Sequence, residues 1–272
     1  MSPNQESKIT AEYPLWDILD TGIQKASFNM ALDDILLERS LQGLLRTPLF
    51  RFYGWERPSI SLGRYQLIHK DIHLANCFQD NIPLVRRPTG GRAVFHDDEL
   101  TYSVIIPSGH NWTRHSLMES YAMISKILVK GMKSIGLDVD FEKHDHGLKI
   151  YPHQASCFAS TTPYEVTLKG YKIIGSAQYR HGGAILQQGS ILISVKKGIS
   201  AYFNTNEFLQ KGIKDIVNID VNSESLKQKI KEALSMGYIK PLPLFKLPDD
   251  ISDSAHELAL NKYETERWTF SR

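Results

Sequence analysis

Apolar positions along the chain recur with two periods, and the switches between them lay out the elements. Trp16 to Leu19 is a short apolar run that predicts a strand. Phe28, Ala31, Leu32, Ile35, Leu36 and Leu41 then fall at helical spacing. They predict a helix from Phe28 to about Leu45, with Ser27 as its N-cap and Asp33 and Asp34 near its positive end. Leu49 to Tyr53 and Ser59 to Leu62 read as strands joined across Gly54 to Pro58, and Asp71 to Asp80 as a helix carrying Cys77. Leu84-Val85, Ala93 to Phe95 and Thr101 to Ile106 are three further strands. Leu117, Tyr121, Ile124, Leu128 and Ile135 mark a second long helix, opened by a Ser116…Glu119 capping box and stopped at Gly136. Val139 to Phe141 reads as a strand. Tyr164 to Leu168 and Tyr171 to Gly175 form a hairpin about Lys169-Gly170, and Ala184 to Val195 is a strand after the turn at His181 to Gly183. These antiparallel strands read as one continuous layer. Ser223 to Leu234 is an amphipathic helix, Pro241 to Pro248 an extended linker, and Ser252 to about Glu266 a last helix; residues 1–13 read as a loose arm. The pattern places the chain in the α/β class, of the α+β kind: a mixed, mainly antiparallel sheet with packed helices and a smaller sheet toward the C-terminal half.

The polar positions concentrate between Pro83 and Pro107. There the order is strand, Gly90-Gly91 turn, strand, polar turn His96 to Glu99, strand. Taken as pattern alone, a diglycine between two strands is a hairpin turn. Arg86, Arg87 and Arg92 crowd this turn, and the glycines expose backbone N–H groups beside those cations. That suits a carboxylate, thioester or phosphate oxygen. His96 and Asp97 follow a strand end, where side chains line a cleft.

Other candidates carry two readings each. Cys157 sits among Ala155, Ser156, Phe158, Ala159 and Ser160, ahead of a strand. A structural cysteine usually lies inside an apolar run, so a reactive thiol stands beside the structural reading. Cys77 reads as a small structural residue, because no base or cation pattern surrounds it. Lys172 alternates with Tyr171 and Ile173, and by pattern alone is a solvated strand residue. His144, His146 and His153 fit no common zinc spacing, so a solvated loop is the better reading there.

Composition narrows the classes. The 272 residues carry a net charge of +2, with 42% hydrophobic and 23% charged residues, as in an ordinary globular protein. So weak a positive charge does not announce nucleic acid, and it is compatible with an acidic protein partner. Two cysteines fit a reducing cytosol. The start lacks a signal peptide's pattern, and no apolar run approaches ~20 residues, so the expected compartment is the cytoplasm and no membrane is involved. Walker A, dinucleotide, nucleophile-elbow and HExxH motifs are absent.

The run Arg-Arg-Pro-Thr-Gly-Gly-Arg-Ala-Val-Phe-His-Asp, residues 86–97, resembles the signature of the lipoate/biotin protein ligase superfamily. The likeness runs from Trp16 to the C-terminus and is nearest to the single-domain octanoyltransferases of lipoic-acid assembly, the LipM type. It implies the biotin/lipoate protein ligase catalytic-domain fold. The whole of 1–272 would be one domain, with a core of about 44–254 on which the 252–266 helix packs. It implies an acyl-binding loop of Arg87, Gly90, Gly91, Arg92 and His96, completed by Ser176, Ala177 and Gln178. The Cys157 segment resembles the nucleophile loop. Lys172, in Tyr-Lys-Ile-Ile-Gly-Ser-Ala-Gln, matches the lysine found in nearly all branches.

The implied chemistry is acyl transfer through a thioester. Cys157 would attack octanoyl-acyl carrier protein. Lys172 would lower the thiol's pKa and then receive the proton of the acceptor amine, a lysine on a lipoyl domain such as the glycine cleavage H protein. This scheme requires no metal, no nucleotide and no other cofactor, and it implies a monomer. Two alternatives stand beside it: an ATP-dependent lipoate–protein ligase, in which Cys157 would be incidental, and a non-catalytic carrier-binding relative.

Overall fold

The computed structural model describes residues 15–141, 165–204, 210–236 and 242–272. The arm, the three-histidine loop and the Cys157 segment lie outside the described residues.

The chain begins with strand β1, Asp17–Gln24, and helix α1, Ala26–Leu41. Strands β2, Leu49–Trp55, and β3, Ser59–Leu62, follow, then short helices α2, Ile68–Asp71, and α3, Leu74–Gln79. Strands β4, Leu84–Arg86, β5, Val94–His96, and β6, Glu99–Ile106, lead into helix α4, Leu117–Lys133. Strands β7, Val139–Asp140, β8, Thr167–Leu168, β9, Tyr171–Lys172, β10, Ile174–His181, and β11, Ala184–Leu192, come next. The described helices after them are α5, Ile213–Ile216, α6, Ser223–Ser235, α7, Asp249–Leu258, and α8, Glu266–Thr269.

The main sheet has the order β1-β2-β6-β11-β10, antiparallel except where β1 runs parallel to β2. Both its faces are covered. Phe50, Phe52, Leu100, Tyr102 and Val104 pack against α4 and α6, while Leu49, Tyr53, Ile105 and Leu186 pack against α1 and α7. The α1 face departs from a plain apolar core. Residues of one parity on β6, Glu99, Thr101 and Ser103, point to it together with Gln188 and Ser190 of β11, and all five are buried. A buried polar group must find a partner, so this face carries a network rather than grease.

The capping box at Ser116 forms as the sequence predicts, Glu119 N–H donating to Ser116 Oγ at 3.2 Å and Ser116 N–H to Glu119 Oε2 at 2.8 Å. The hairpin about Lys169-Gly170 also forms. Several expectations are corrected. Ser27 lies inside α1, not at its cap, and its hydroxyl donates to Glu264 Oε1 at 2.8 Å. The 71–80 helix is two pieces, broken at Ile72, and the last helix starts three residues early, at Asp249. Gly90-Gly91 is not a hairpin turn: β4 and β5 do not pair with each other but flank β3 on its two sides. The strands after residue 165 are not one layer either. β8 and β9 pair with β7 in a separate sheet, and the chain changes sheets at Ile173, whose carbonyl accepts from Leu192 N–H at 3.0 Å.

Cys77 is fully buried on α3, and burial pushes its thiol up to about 11. We expect Cys77→Ala to leave acyl transfer unchanged and to lower stability by about 1 kcal/mol, measured by denaturant titration. Loss of transfer with the fold retained would contradict the structural role. Among the described residues no helix is long and apolar enough to cross a membrane.

Candidate active site

The polar face of the main sheet is organised by an ion pair with no solvent exposure. Arg51 Nη1 donates to Asp33 Oδ1 at 2.7 Å. Arg51 Nη2 donates to Asn29 Oδ1 at 2.7 Å, and Ser103 Oγ to Asp33 Oδ1 at 2.7 Å. Burial, with the Asp33 charge behind it, holds the Tyr53 phenol well above its ordinary range, so that hydroxyl is a donor.

From Asp33 the network runs to the diglycine loop. Gln188 Nε2 donates to Asp33 Oδ2 at 2.7 Å, and Thr89 Oγ1 donates to Gln188 Oε1 at 2.8 Å. Arg87 Nε donates to Thr89 Oγ1 at 3.2 Å, and Arg87 Nη2 to the carbonyls of Gly90 and Arg92, both at 2.7 Å. The arginines that crowd the turn thus split in role. Arg87 clamps the loop backbone from inside. Arg86 serves the neighbouring 63–66 turn, donating to the carbonyls of Gly63 at 2.7 Å and Gln66 at 2.9 Å. Half-buried Arg92 has a buried Nη1 with no hydrogen-bond partner among the described residues.

Two glycines let this loop close. Gly91 has φ +85, which favours glycine, and a Cβ there would stand 3.0 Å from Arg87 Nη2. A Cβ on Gly63 would stand 1.8 Å from the Gly91 carbonyl oxygen. We expect Gly63→Ala to force the loop off the 63–66 turn and to lower stability by about 1–3 kcal/mol in urea titration. An unchanged midpoint would contradict that packing.

Under the loop lies a pocket lined by Met30, Tyr53, Val94 and Ala177 on its apolar side and by Ser61, Arg87 and His96 on its polar side. Ser176 borders it too, but its hydroxyl turns to the α4 side, 2.7 Å from Tyr102 Oη; burial pushes that phenol up to about 12. The structure therefore brings Arg87, His96, Ser176 and Ala177 to one cavity, with Gly90 and Gly91 as the loop above it.

Gln178 is not among the lining residues. Strand alternation turns it to the α4 side, where its Oε1 accepts from Ser120 Oγ at 3.1 Å and its Nε2 donates to Gln187 Oε1 at 3.1 Å. Lys172 does not line the cavity either. Its Nζ is 2.7 Å from Glu165 Oε1, with the two side chains 8% and 0% exposed. The solvated-strand reading of Lys172 is overturned, because a surface lysine would keep its head in water.

Sequence reasoning missed Ser61, Glu99, Gln188, Asp33's true partner and Glu165. The one usable signal was the polar alternation Glu99, Thr101, Ser103 inside an otherwise apolar strand.

Comparison with known proteins agrees with this architecture. The lipoyl protein ligase A/B catalytic domain family matches residues 25–242. The octanoyltransferase LipM of Anoxybacillus flavithermus is 36% identical over 279 aligned residues, spanning 96% of this chain and 100% of that one. The octanoyltransferase LipM of Bacillus subtilis is 34% identical over 275, spanning 94% and 98%. A lipoate-protein ligase A solved bound with ATP superposes with a TM-score of 0.74, covering 95% of this chain and 98% of that one at 20% identity, a likeness of fold. With the signature at residues 86–97 folded into a clamped loop over a shared pocket, this chain belongs to the lipoyl protein ligase A/B catalytic domain family.

Proposed function

We propose that this chain is an octanoyltransferase of protein lipoylation, moving an octanoyl group from acyl carrier protein to a lysine on a lipoyl domain through a thioester on Cys157. The observation that carries the reading is the cavity beneath the diglycine loop. Its apolar wall of Met30, Tyr53, Val94 and Ala177 suits an aliphatic chain, and Arg87 and His96 suit the polar end. Identities of 34% and 36% with octanoyltransferases over nearly the whole chain support the same choice.

In the first step the Cys157 thiolate attacks the donor carbonyl. An Sγ–C bond forms, the donor C–S bond breaks, and the carrier leaves as its thiol after taking a proton. In the second, the acceptor amine attacks, a C–N bond forms and Cys157 is released. Lys172, as an ammonium, favours the thiolate, holds the carbonyl oxygen and gives its proton to the departing carrier thiolate; now neutral, it takes the proton of the attacking amine as Cys157 leaves as its thiolate. Glu165 fixes the Lys172 head by its 2.7 Å contact. Octanoyl-acyl carrier protein as donor, the glycine cleavage H protein as an acceptor, a monomeric single domain over 1–272 and a cytoplasmic setting belong to the same proposal.

The test is transfer from octanoyl-acyl carrier protein to an apo lipoyl domain, with and without ATP. Transfer that needs no ATP is expected; use of free octanoate only when ATP is present would make the chain a ligase. A second test probes Lys172. A thiol of pKa ~8.5 is mostly protonated at neutral pH, and a neighbouring cation lowers that value by about a unit. Lys172→Ala should therefore slow Cys157 alkylation by iodoacetamide at pH 7 and move its midpoint upward. Lys172→Arg should restore part of that effect but little transfer, since guanidinium cannot accept the proton. Coincident alkylation curves would separate Lys172 from Cys157.

A further inference from the structure

Two buried side chains without a place in the transfer scheme, Ser61 and Glu99, flank His96 at the pocket. Ser61 Oγ, on β3, is 2.7 Å from His96 Nε2, on β5, and His96 Nδ1 is 2.7 Å from Glu99 Oε1, at the start of β6. The bond directions follow from a fixed donor. Arg87 Nη1, which can only donate, reaches Ser61 Oγ at 3.1 Å. Ser61 Oγ accepts from Arg87 and still has its own proton to give. The Glu99 carboxylate can only accept, so Nδ1–H donates to it, and in that tautomer of the neutral ring Nε2 is the acceptor in reach of Ser61 Oγ.

Each member is locked in place. Glu99 accepts from the hydroxyls of Thr101 and Ser190. Trp55 stacks on the imidazole with ring centroids 3.8 Å apart and an interplanar angle of 15°, and its own Nε1 donates to Thr101 Oγ1 at 2.8 Å. Ser61 and His96 line the cavity and Glu99 stands behind them. A hydroxyl, a base in hydrogen-bond reach and a carboxylate orienting that base are the parts of a serine nucleophile, recognised by geometry rather than by position in the chain. The Arg87 guanidinium, its N–H groups held by Ser61, Thr89, Gly90 and Arg92, sets a positive charge beside Oγ and so near an oxyanion on the attacked carbonyl.

We propose that Ser61 is a second acyl-accepting nucleophile of this chain, giving it a hydrolase activity on aliphatic acyl esters and thioesters that does not use Cys157. Ser61 Oγ forms a bond to the acyl carbon as the ester C–O or thioester C–S bond breaks. The Ser61 proton passes to His96 Nε2 and from there to the leaving group. Water then attacks the acyl-serine, His96 takes its proton and returns it to Ser61 Oγ, and the free acid departs. Glu99 acts through His96 as a positioning residue.

The activity shares the cavity of the proposed transfer but not its nucleophile, so the two stand or fall separately. The experiment uses the Cys157→Ala protein with 4-nitrophenyl octanoate and, in parallel, a fluorophosphonate, the adduct being mapped by peptide mass. The expected result is steady release of 4-nitrophenolate and one phosphonyl adduct on the peptide that carries Ser61. Adding Ser61→Ala should remove both. Adding Glu99→Gln should lower kcat by on the order of 10²–10⁴-fold while KM changes little, a split that a packing role would not produce. No adduct on Ser61, or hydrolysis equal with and without Ser61, overturns the proposal. The adduct map is read with Ser61 intact, so it decides the matter even where Ser61→Ala fails to fold. A wild-type protein that fails to acylate Cys157 while Ser61 still takes the label would sink the transfer reading alone.

Discussion

Replacing Cys157 by alanine should abolish octanoyl transfer and leave the fold in place. A thioester intermediate divides a difficult acyl transfer into two easier steps, and removing the atom that carries the acyl group removes both. Loss of a nucleophile of this kind lowers turnover by on the order of 10⁴-fold or more, at least about 5.6 kcal/mol of transition-state stabilisation at about 1.4 kcal/mol per tenfold. The thermal midpoint should move little, because a residue chosen for reactivity among small polar neighbours is not one on which the core depends. The measurement is the initial rate of lipoyl-domain octanoylation by wild type and Cys157→Ala at equal concentration. A variant with wild-type rate would make the thiol incidental, as it is in an ATP-dependent ligase.

The largest effect on stability should come from Asp33→Ala. Asp33 and Arg51 are both without solvent exposure, and removing one partner leaves the other charge buried. Breaking a buried pair in this way costs about 3–5 kcal/mol. Arg51 keeps Asn29 and Thr21 as acceptors, whereas Gln188 Nε2 and Ser103 Oγ lose the carboxylate they donate to. The damage should extend to the pocket, since Gln188 holds Thr89 and Thr89 accepts from Arg87 in the loop clamp. Asp33→Asn keeps the shape and one acceptor oxygen, and should cost less. Denaturant titration of both variants, with kcat/KM for transfer alongside, checks the account. A loss under about 1 kcal/mol for Asp33→Ala would mean that the pair contributes little.

Much of the scaffold was legible because its signals are local. The capping box at Ser116 and Glu119 and the turn at Lys169-Gly170 depend on residues a few positions apart, and both form. The signature at residues 86–97 marked a clamped loop, and Arg87, His96, Ser176 and Ala177 do meet at one cavity. What stayed hidden depends on partners far along the chain. Asp33 near the start of a helix looks like a dipole partner, and nothing local reveals Arg51 on the next strand. Glu99, Thr101 and Ser103 alternate as if their face met water, yet α1 covers it and turns the alternation into a buried network. The resemblance placed Gln178 with Ser176 and Ala177, but it stands one step farther along β10, outside the cavity lining, and its side chain, like that of Ser176, points to the α4 side. By pattern alone Lys172 reads as a surface residue, because its burial rests on Glu165, across the hairpin.

The measurement that tests the central claim most directly is the intact mass of the protein after incubation with octanoyl-acyl carrier protein and no ATP. The account predicts a gain of one octanoyl group, mapped to Cys157, sensitive to hydroxylamine and discharged when an apo lipoyl domain is added. A protein that gains nothing on Cys157 under these conditions, yet modifies the lipoyl domain when given free octanoate and ATP, would contradict it.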